Sequence, residues 1–138
     1  MTYWRLHYHL IWATYNREPT LTAEREKIFY GVLYKKGEEL GLIIHAAGNV
    51  DDHAHVVASI PPKIAVADCV RHIKGASAFA INHMDGSDGQ FKWQGGYGAL
   101  SIGERSLETV MEYAAIQKEH HRENKLIAVY EKIDEDED

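Results

Sequence analysis

Apolar and polar side chains alternate along the first segment of the chain, from Tyr3 to Thr14. Every second residue of this segment is apolar, and these residues form one face: Leu6, Tyr8, Leu10 and Trp12. The other face carries Arg5, His7, His9 and Ala13. A repeat of two residues is the period of a β-strand, because successive side chains point to opposite faces. We therefore predict a strand with one buried face, whose two histidines share the other face.

Three later segments carry apolar residues at helical spacing. Thr22 precedes the first as a predicted N-cap, and Gly41 ends it. The second spans residues 65–83. The third begins at a predicted N-cap, Ser106, and runs to about Glu123, with an apolar stripe formed by Leu107, Val110, Met111 and Ala114. Each helix is therefore expected to turn one face toward a core.

The remaining periodic segments are predicted strands. Residues 42–50 and 53–60 flank Asp51-Asp52, which predicts a hairpin with a tight turn, and Pro61-Pro62 ends its second strand. Residues 91–102 predict a glycine-interrupted strand. The resulting order, β, α, β, β, α, β, α, indicates an α+β fold of the ferredoxin-like type (split βαβ, RRM-like). It has an antiparallel sheet, helices packed on it and one extra C-terminal helix.

Length and charge indicate one domain with an acidic end. The chain has 138 residues, enough for one core without disulfide or metal staples. Its 21 acidic and 15 basic residues give a formal net charge of −6. Six of the acids and one base lie in residues 131–138, so the rest is close to neutral. We predict one domain over residues 1–130 and a solvated, disordered tail over 131–138, whose removal should leave folding intact.

Composition also excludes several classes of protein. Cys69 is the only cysteine, which excludes an intrachain disulfide and a cysteine zinc cluster and favours a reducing compartment. No apolar run approaches the roughly 18 residues of a membrane span, and the first residues lack the pattern of a signal peptide. We therefore expect a cytoplasmic protein with no membrane partner.

Two His-x-His pairs are candidates for metal binding. On a strand, residues two apart project from one face, so His7 with His9, or His53 with His55, could bind one ion. In a chain with nine histidines such pairs also arise by chance, and hydrogen-bonded packing is the alternative for each. The second pair has the better context, because it begins a strand directly after the Asp51-Asp52 turn. A two-histidine site would still need a third ligand.

The third predicted helix places Tyr113 and Gln117 side by side. They are four residues apart, on the flank of the apolar stripe. His120 continues this flank, and the basic residues at the helix end suit phosphate groups or the helix dipole equally well. A tyrosine beside an apolar stripe is more often packing than chemistry. The helix alone therefore leaves both interpretations open.

Several segments, taken in order, carry a resemblance to one family. They are residues 7–14, 49–56, 73–77 and 91–99, followed by Tyr113, Gln117 and His120-His121. The second contains His53-Ala54-His55, a sequence of histidine, hydrophobic residue and histidine. The chain resembles the single-tyrosine HUH transposases of the IS200-like type (insertion sequence 200/605) and their relatives, the REP-associated tyrosine transposases. The resemblance covers nearly the whole chain.

This resemblance implies a site and a reaction. It implies that His53, His55 and Gln117 hold a divalent metal, Mg²⁺ or Mn²⁺, and that Tyr113 is the catalytic nucleophile. Attack on single-stranded DNA would give a 5′-phosphotyrosine and a free 3′-hydroxyl, and rejoining would then need no ATP. A phenol with a pKa near 10 is a poor nucleophile at neutral pH, so a cation that neutralises charge in the transition state fits this chemistry.

The resemblance also implies DNA contacts and a dimer. The implied substrate is hairpin-forming single-stranded DNA, bound by a homodimer in which the tyrosine helix of one subunit can complete the metal site of the other. Candidate DNA contacts, with core packing or surface solvation as the alternative, are Arg71, Lys74, Lys92, Trp93, Arg105 and His120. Two other functions stay open: a domesticated, non-cleaving relative that binds DNA or RNA hairpins, and a structural domain whose histidine pairs are incidental.

Overall fold

A four-stranded antiparallel sheet and three helices form the described part of the chain, residues 2–84, 86–118 and 128–133 of a computed structural model. The strands are β1 (His7–Ala13), β2 (Ile43–Asn49), β3 (His53–Ser59) and β4 (Gly98–Ile102). The helices are α1 (Ala23–Leu40), α2 (Val66–Asn82) and α3 (Leu107–Ala115). Short 3-10 turns lie at Tyr15–Arg17, Glu104–Ser106 and Ala128–Glu131.

The topology confirms the predicted fold class. The strand order is β2-β3-β1-β4, and each neighbouring pair is antiparallel. With the chain order βαββαβ this is the ferredoxin-like arrangement, to which α3 is added at the C-terminal side. The register between β1 and β3 sets Ile11 opposite His55 and His9 opposite Val57. His9 and His55 are therefore diagonal neighbours on one face of the sheet.

Both predicted ends of the first helix are confirmed. The Thr22 hydroxyl accepts a hydrogen bond from the backbone N–H of Arg25 at 3.3 Å, which satisfies one free donor of the first turn. Gly41 ends α1 with a φ of 77°, a left-handed conformation that costs glycine little. No helix in the described residues is long and apolar enough to cross a bilayer.

The main core lies between one face of the sheet and the helices α1 and α2. From β1 it takes Leu10 and Trp12, both 0% exposed, as the alternation predicted. The Trp12 ring meets the rings of Phe29 and Trp93 edge-to-face, at centroid distances of 6.2 and 6.1 Å. From β3 it takes Ala54, Val56 and Ala58. Burial of these side chains is the main force that holds the sheet to the helices.

The opposite face of the sheet carries α3 and residues 128–133. Val110 and Ala114 of α3 pack on Val57, as the predicted apolar stripe requires. A Cβ on Gly48 would lie 1.7 Å from the carbonyl oxygen of Ala114, and a Cβ on Gly98 would lie 2.1 Å from that of Lys132. Only glycine fits at these two positions, so they let both segments approach the sheet closely.

β4 is shorter than the predicted strand over residues 91–102. Residues 91–97 meet the sheet through an isolated bridge between Thr14 and Trp93. The Lys74 ammonium donates to the carbonyl oxygens of Gln94 and Gly96, at 2.8 and 3.1 Å. These contacts tie residues 94 and 96 to α2, and the regular ladder with β1 begins at residue 98.

α3 also differs from its prediction at the start. Ser106 has near-helical backbone angles (φ −97°, ψ −6°), and its side chain makes no capping hydrogen bond. The 3-10 turn at Glu104–Ser106 leads into the helix instead. α3 ends at Ala115, because Ile116 leaves the helical region (φ −111°, ψ 37°). The predicted helix end near Glu123 lies outside the described residues.

Candidate active site

Three side chains converge on the α3-covered face of the sheet. The Nε2 atoms of His53 and His55 lie 3.1 and 3.2 Å from the same carboxylate oxygen, Oε1 of Glu131. One ligand atom from each of the three residues lies within 4.8 Å of the other two. Among the described residues, this is the one such group of His, Cys, Asp or Glu side chains. Two imidazoles and a carboxylate are a donor set that divalent transition metals accept.

The Asp51-Asp52 turn, which hydrogen bonds hold in place, positions His53. The backbone N–H groups of Thr14 and Leu21 donate to the carbonyl oxygens of Asp52 and Asp51, each at 2.9 Å. The Asp52 carboxylate lies 2.6 Å from Nδ1 of His53 and accepts its proton in a hydrogen bond. With Nδ1 engaged in this way, Nε2 of His53 is directed toward Glu131, which is the orientation that a metal ligand needs.

Charge complementarity holds the convergent group together. Burial disfavours the charged His53 ring, but hydrogen bonds to Asp52 and Glu131 outweigh it and raise the pKa of His53. Burial likewise opposes ionisation of Glu131, but hydrogen bonds from His53 and His55 outweigh it and hold the pKa of this carboxyl well below its ordinary value. The Glu131 carboxylate and the His53 imidazole therefore stabilise each other's charged forms.

His9 contacts the ring nitrogen of His55 that does not face Glu131. Its Nε2 lies 2.7 Å from Nδ1 of His55, and the two rings stack at a centroid distance of 5.0 Å. His9 is 1% exposed, and its Nδ1 is buried without a hydrogen-bond partner among the described residues. Burial, and then the neighbouring His55, lower the pKa of His9 to about 4. His9 is therefore a neutral imidazole at physiological pH.

His7, the other member of the first His-x-His pair, lies in a different environment. Its Nδ1 lies 2.6 Å from the Ser59 hydroxyl, and its Nε2 lies 3.0 Å from the Glu104 carboxylate. His45 reaches the same Ser59 hydroxyl at 2.5 Å. We call His7, His45, Ser59 and Glu104 the Ser59 cluster. His7 and His9 thus do not direct their nitrogens at a common point, and the hydrogen-bonded alternative describes this pair.

Tyr113 reaches the same site from α3, and Gln117 lies just beyond the end of this helix, bonded to the Tyr113 backbone. The Tyr113 hydroxyl donates to Oε2 of Glu131 at 2.5 Å, and its ring centroid lies 5.9 Å from that of His55. Gln117 is 1% exposed, and its amide nitrogen donates to the Tyr113 carbonyl oxygen at 2.8 Å. Because that nitrogen bonds to the backbone, the amide oxygen is the atom with which Gln117 could bind a cation. Tyr113, His55 and Glu131 meet within one chain.

Sequence reasoning missed Glu131, which it assigned to the tail. The residue ends a 3-10 turn, and its carboxylate connects Tyr113 with His53 and His55. The aromatic ring of Tyr130 packs on the α3 side of the sheet and so anchors this segment. The sequence carries one signal for this position: residues 126–130 form an apolar run just before the acidic residues, a pattern that favours packing on the domain.

Two of the predicted DNA contacts are buried in the structure. Trp93 is 9% exposed and packs in the main core, where its indole N–H donates to the Ser77 hydroxyl at 2.9 Å. Lys74 is 6% exposed and donates to the carbonyls of residues 94 and 96, as described above. The polar atoms of both side chains thus bond inside the protein, so Trp93 fits the alternative of core packing and Lys74 lies in a buried structural position.

The other predicted DNA contacts are exposed or outside the described residues. Arg105 is exposed, Arg71 pairs with Asp68 on the surface of α2, and the Lys92 ammonium lies 4.7 Å from the ring centroid of Tyr15. His120 falls outside the described residues. A cleft of about 480 Å³ opens beside the site, and its lining residues are Arg17, Val50, Asp51, Asp52, His53 and Lys118.

Comparison with known proteins identifies the family. Residues 2–117 match the family described as IS200-like transposases. The transposase for insertion sequence element IS200 of Salmonella typhimurium is 25% identical over 134 residues, covering 93% of this chain and 87% of the relative. The ISDra2 transposase TnpA of Deinococcus radiodurans is 28% identical over 128 residues, with coverage of 87% and 88%.

A solved structure shares the fold. It is that of a REP-associated tyrosine transposase bound to a REP hairpin, with a TM-score of 0.67 and 16% identity, covering 88% of this chain and 74% of the other. At this identity the likeness establishes the fold, whereas the match over residues 2–117 establishes the family. The chain belongs to the IS200-like transposases.

Proposed function

We propose that this transposase cleaves and rejoins single-stranded DNA through Tyr113. The observation that carries this proposal is the Glu131 carboxylate, because one oxygen contacts both imidazoles and the other accepts the Tyr113 O–H. A phenol held at a three-ligand group is where a phosphodiester could be attacked and its charge balanced. The homologous transposases give the reaction its class.

His53, His55 and Glu131 are the residues that would hold the cation, with Gln117 as a further ligand through its amide oxygen. The donor set fits, because two imidazoles and oxygen ligands suit Mn²⁺ and, less readily, Mg²⁺. When bound, the cation would neutralise charge that develops on the phosphate.

In the proposed reaction, Glu131 orients the Tyr113 hydroxyl for attack on the phosphorus. The bond from phosphorus to the 3′-oxygen breaks, which leaves a 5′-phosphotyrosine. The phenol releases its proton to solvent as it attacks, and the 3′-oxygen takes one up from solvent as it leaves. Glu131, whose pKa lies well below its ordinary value, stays a carboxylate that orients the hydroxyl. Attack by a 3′-hydroxyl on the phosphotyrosine reverses these steps and rejoins the strand, so the bond energy is conserved.

The proposed partners are hairpin-forming single strands and a second subunit. The cleft beside His53 brings Arg17 and Lys118 next to the site, together with Asp51 and Asp52, and its two basic side chains are candidates for contacts with the phosphate backbone. Exposed Lys92 and Arg105 are further candidates for phosphate contacts. We propose a homodimer in which exchange of α3 could assemble the same residues between subunits.

A covalent adduct tests this function. Labelled single strands with a hairpin are incubated with the protein and Mn²⁺, and the products are separated under denaturing conditions. We expect an adduct in the wild type and none in Tyr113→Phe. Tyr130→Phe is the matched variant, because its ring lies 5.2 Å from that of Tyr113, and it should keep the adduct. An adduct that is lost in Tyr130→Phe but kept in Tyr113→Phe would show that Tyr130, and not Tyr113, is the nucleophile. Hairpin binding without any adduct would favour the non-cleaving alternative.

A further inference from the structure

The contact between His9 and His55 contains room for one proton only. The two nitrogens are 2.7 Å apart, so one ring donates and the other accepts. A neutral imidazole carries its proton on one nitrogen, so this contact couples the protonated positions of both rings. Whether Nδ1 of His55 donates to His9 or accepts from it decides whether Nε2 of His55 presents a lone pair or an N–H at the site.

Metal binding would select one of the two arrangements. Nε2 of His55 faces Glu131 and the ligand group, so a cation there needs the lone pair of that nitrogen. The proton of His55 must then be on Nδ1, and His9 must accept it through Nε2. His9 then carries its own proton on Nδ1, the atom that is buried without a partner among the described residues.

We propose that His9 is a positioning residue of the metal site: it accepts the Nδ1–H of His55 and so keeps the His55 Nε2 lone pair directed at the cation. This inference rests on the proposed metal site. Under this proposal the two histidine ligands are oriented by different groups: the Asp52 carboxylate orients His53, whereas the buried imidazole of His9 orients His55. His9 touches neither Glu131 nor the ligand atoms in any hydrogen bond of the described residues, and it acts through His55 alone.

Packing supports a fixed orientation for His9. The ring is 1% exposed and stacks on His55 at an interplanar angle of 20°. The rings of Tyr113 and Tyr130 meet it edge-to-face, at centroid distances of 6.5 and 5.5 Å. A ring enclosed on these sides cannot rotate freely, so its Nε2 stays at His55 whichever nitrogen carries the proton.

Mn²⁺ affinity of the full chain tests this role, measured by the loss of the free-ion EPR signal. We expect His9→Leu, which removes the acceptor, to weaken Mn²⁺ binding on the order of 10- to 100-fold. His9→Gln, whose amide oxygen can accept the same proton, should restore most of the affinity. His7→Leu is the matched control on the same strand and face, and it should bind Mn²⁺ like the wild type, because His7 belongs to the Ser59 cluster.

Two results of the Mn²⁺ titrations would overturn the inference, and they differ in what else they overturn. Wild-type affinity in a folded His9→Leu variant would remove His9 from the site but leave the metal site standing. Absence of Mn²⁺ binding in the wild type would remove both. Long-range ¹⁵N–¹H NMR of the wild type with saturating Zn²⁺ needs no variant: the inference predicts protons on Nδ1 of both His55 and His9, and a proton on Nε2 of His55 would contradict it.

Discussion

Two clusters of histidine and glutamate lie on the same face of the sheet but differ in geometry. In the Ser59 cluster, His7 and His45 direct their nitrogens at the Ser59 hydroxyl, and the exposed Glu104 contacts His7. At the candidate site, His53 and His55 direct their Nε2 atoms at one oxygen of Glu131. Similar residue types thus make a hydrogen-bonded chain at one end of the face and a convergent donor set at the other.

The difference shows what makes a candidate metal site in this fold. The number of histidines is the same in the two clusters, as is the number of glutamates. What differs is that a turn fixes His53, a buried ring contacts His55, and a separate segment brings Glu131 between them. Ligand atoms become a site when several elements direct them at one point, and the sequence spacing of two histidines supplies only one of these conditions.

The largest expected effect compares matched histidines of the two clusters. His55→Asn should abolish measurable Mn²⁺ binding, because it removes a ligand with its lone pair directed into the group. His45→Asn should leave Mn²⁺ binding unchanged, because His45 bonds to Ser59. Isothermal titration of Mn²⁺ into each folded variant measures both. Equal losses in the two variants would mean that the clusters do not differ in function.

A second expected effect is a pH dependence of the free energy of unfolding, caused by the buried His9 at the candidate site. His9 has a folded pKa of about 4, below the value of 6.5 for an exposed histidine, so the unfolded chain binds more protons between these values. The free energy of unfolding should therefore fall as the pH falls from 6.5 to 4, by up to about 3 kcal/mol from His9 alone. Above pH 6.5 this contribution should be constant.

Comparison with His9→Gln isolates that contribution. Chemical denaturation in EDTA at several pH values should give a shallower decline for the variant than for the wild type. Parallel curves for the two proteins would show that His9 is not held neutral by burial, and would weaken the contrast between the buried site and the more exposed Ser59 cluster.

The smallest expected effect concerns the acidic end of the chain. The acidic run predicts one solvated tail over residues 131–138, but Glu131 contacts both site histidines. Removing residues 131–138 should weaken Mn²⁺ binding, because it removes the Glu131 carboxylate, whereas removing only residues 134–138 should not change it. The two truncations differ by Glu131, Lys132 and Ile133, and Glu131→Gln in the full chain assigns the effect. Equal affinity in both truncated proteins would exclude Glu131 as a ligand.

Local patterns predicted most of the fold. The alternation in β1 separates Leu10 and Trp12 from His7 and His9, and Thr22 and Gly41 bound the first helix as expected. These features depend on neighbours in the sequence, so periodicity and capping residues reveal them. The start of β4 was predicted too early, because the Lys74 contacts with residues 94 and 96 join parts of the chain that are far apart in sequence.

The candidate site was predictable only in part for the same reason. That His53 and His55 share a face follows from the strand period. The helix period predicts that Tyr113 neighbours Gln117, and the two are bonded in the structure although α3 ends at Ala115. The place of Glu131 depends on a close approach of distant segments, which Gly98 permits at Lys132. Composition obscured Glu131, because this residue begins an acidic run and so resembles a solvated tail. Trp93 is the opposite case: its residue type suits base stacking at a surface, but it packs in the core.

Anomalous diffraction from crystals of the full chain grown with Mn²⁺ would show directly whether the candidate site binds the cation. We expect a manganese peak bonded to Nε2 of His53, Nε2 of His55 and a Glu131 oxygen, next to the Tyr113 hydroxyl, with no peak at the Ser59 cluster. A peak at the Ser59 cluster, or none at His53 and His55 under saturating Mn²⁺, would contradict it.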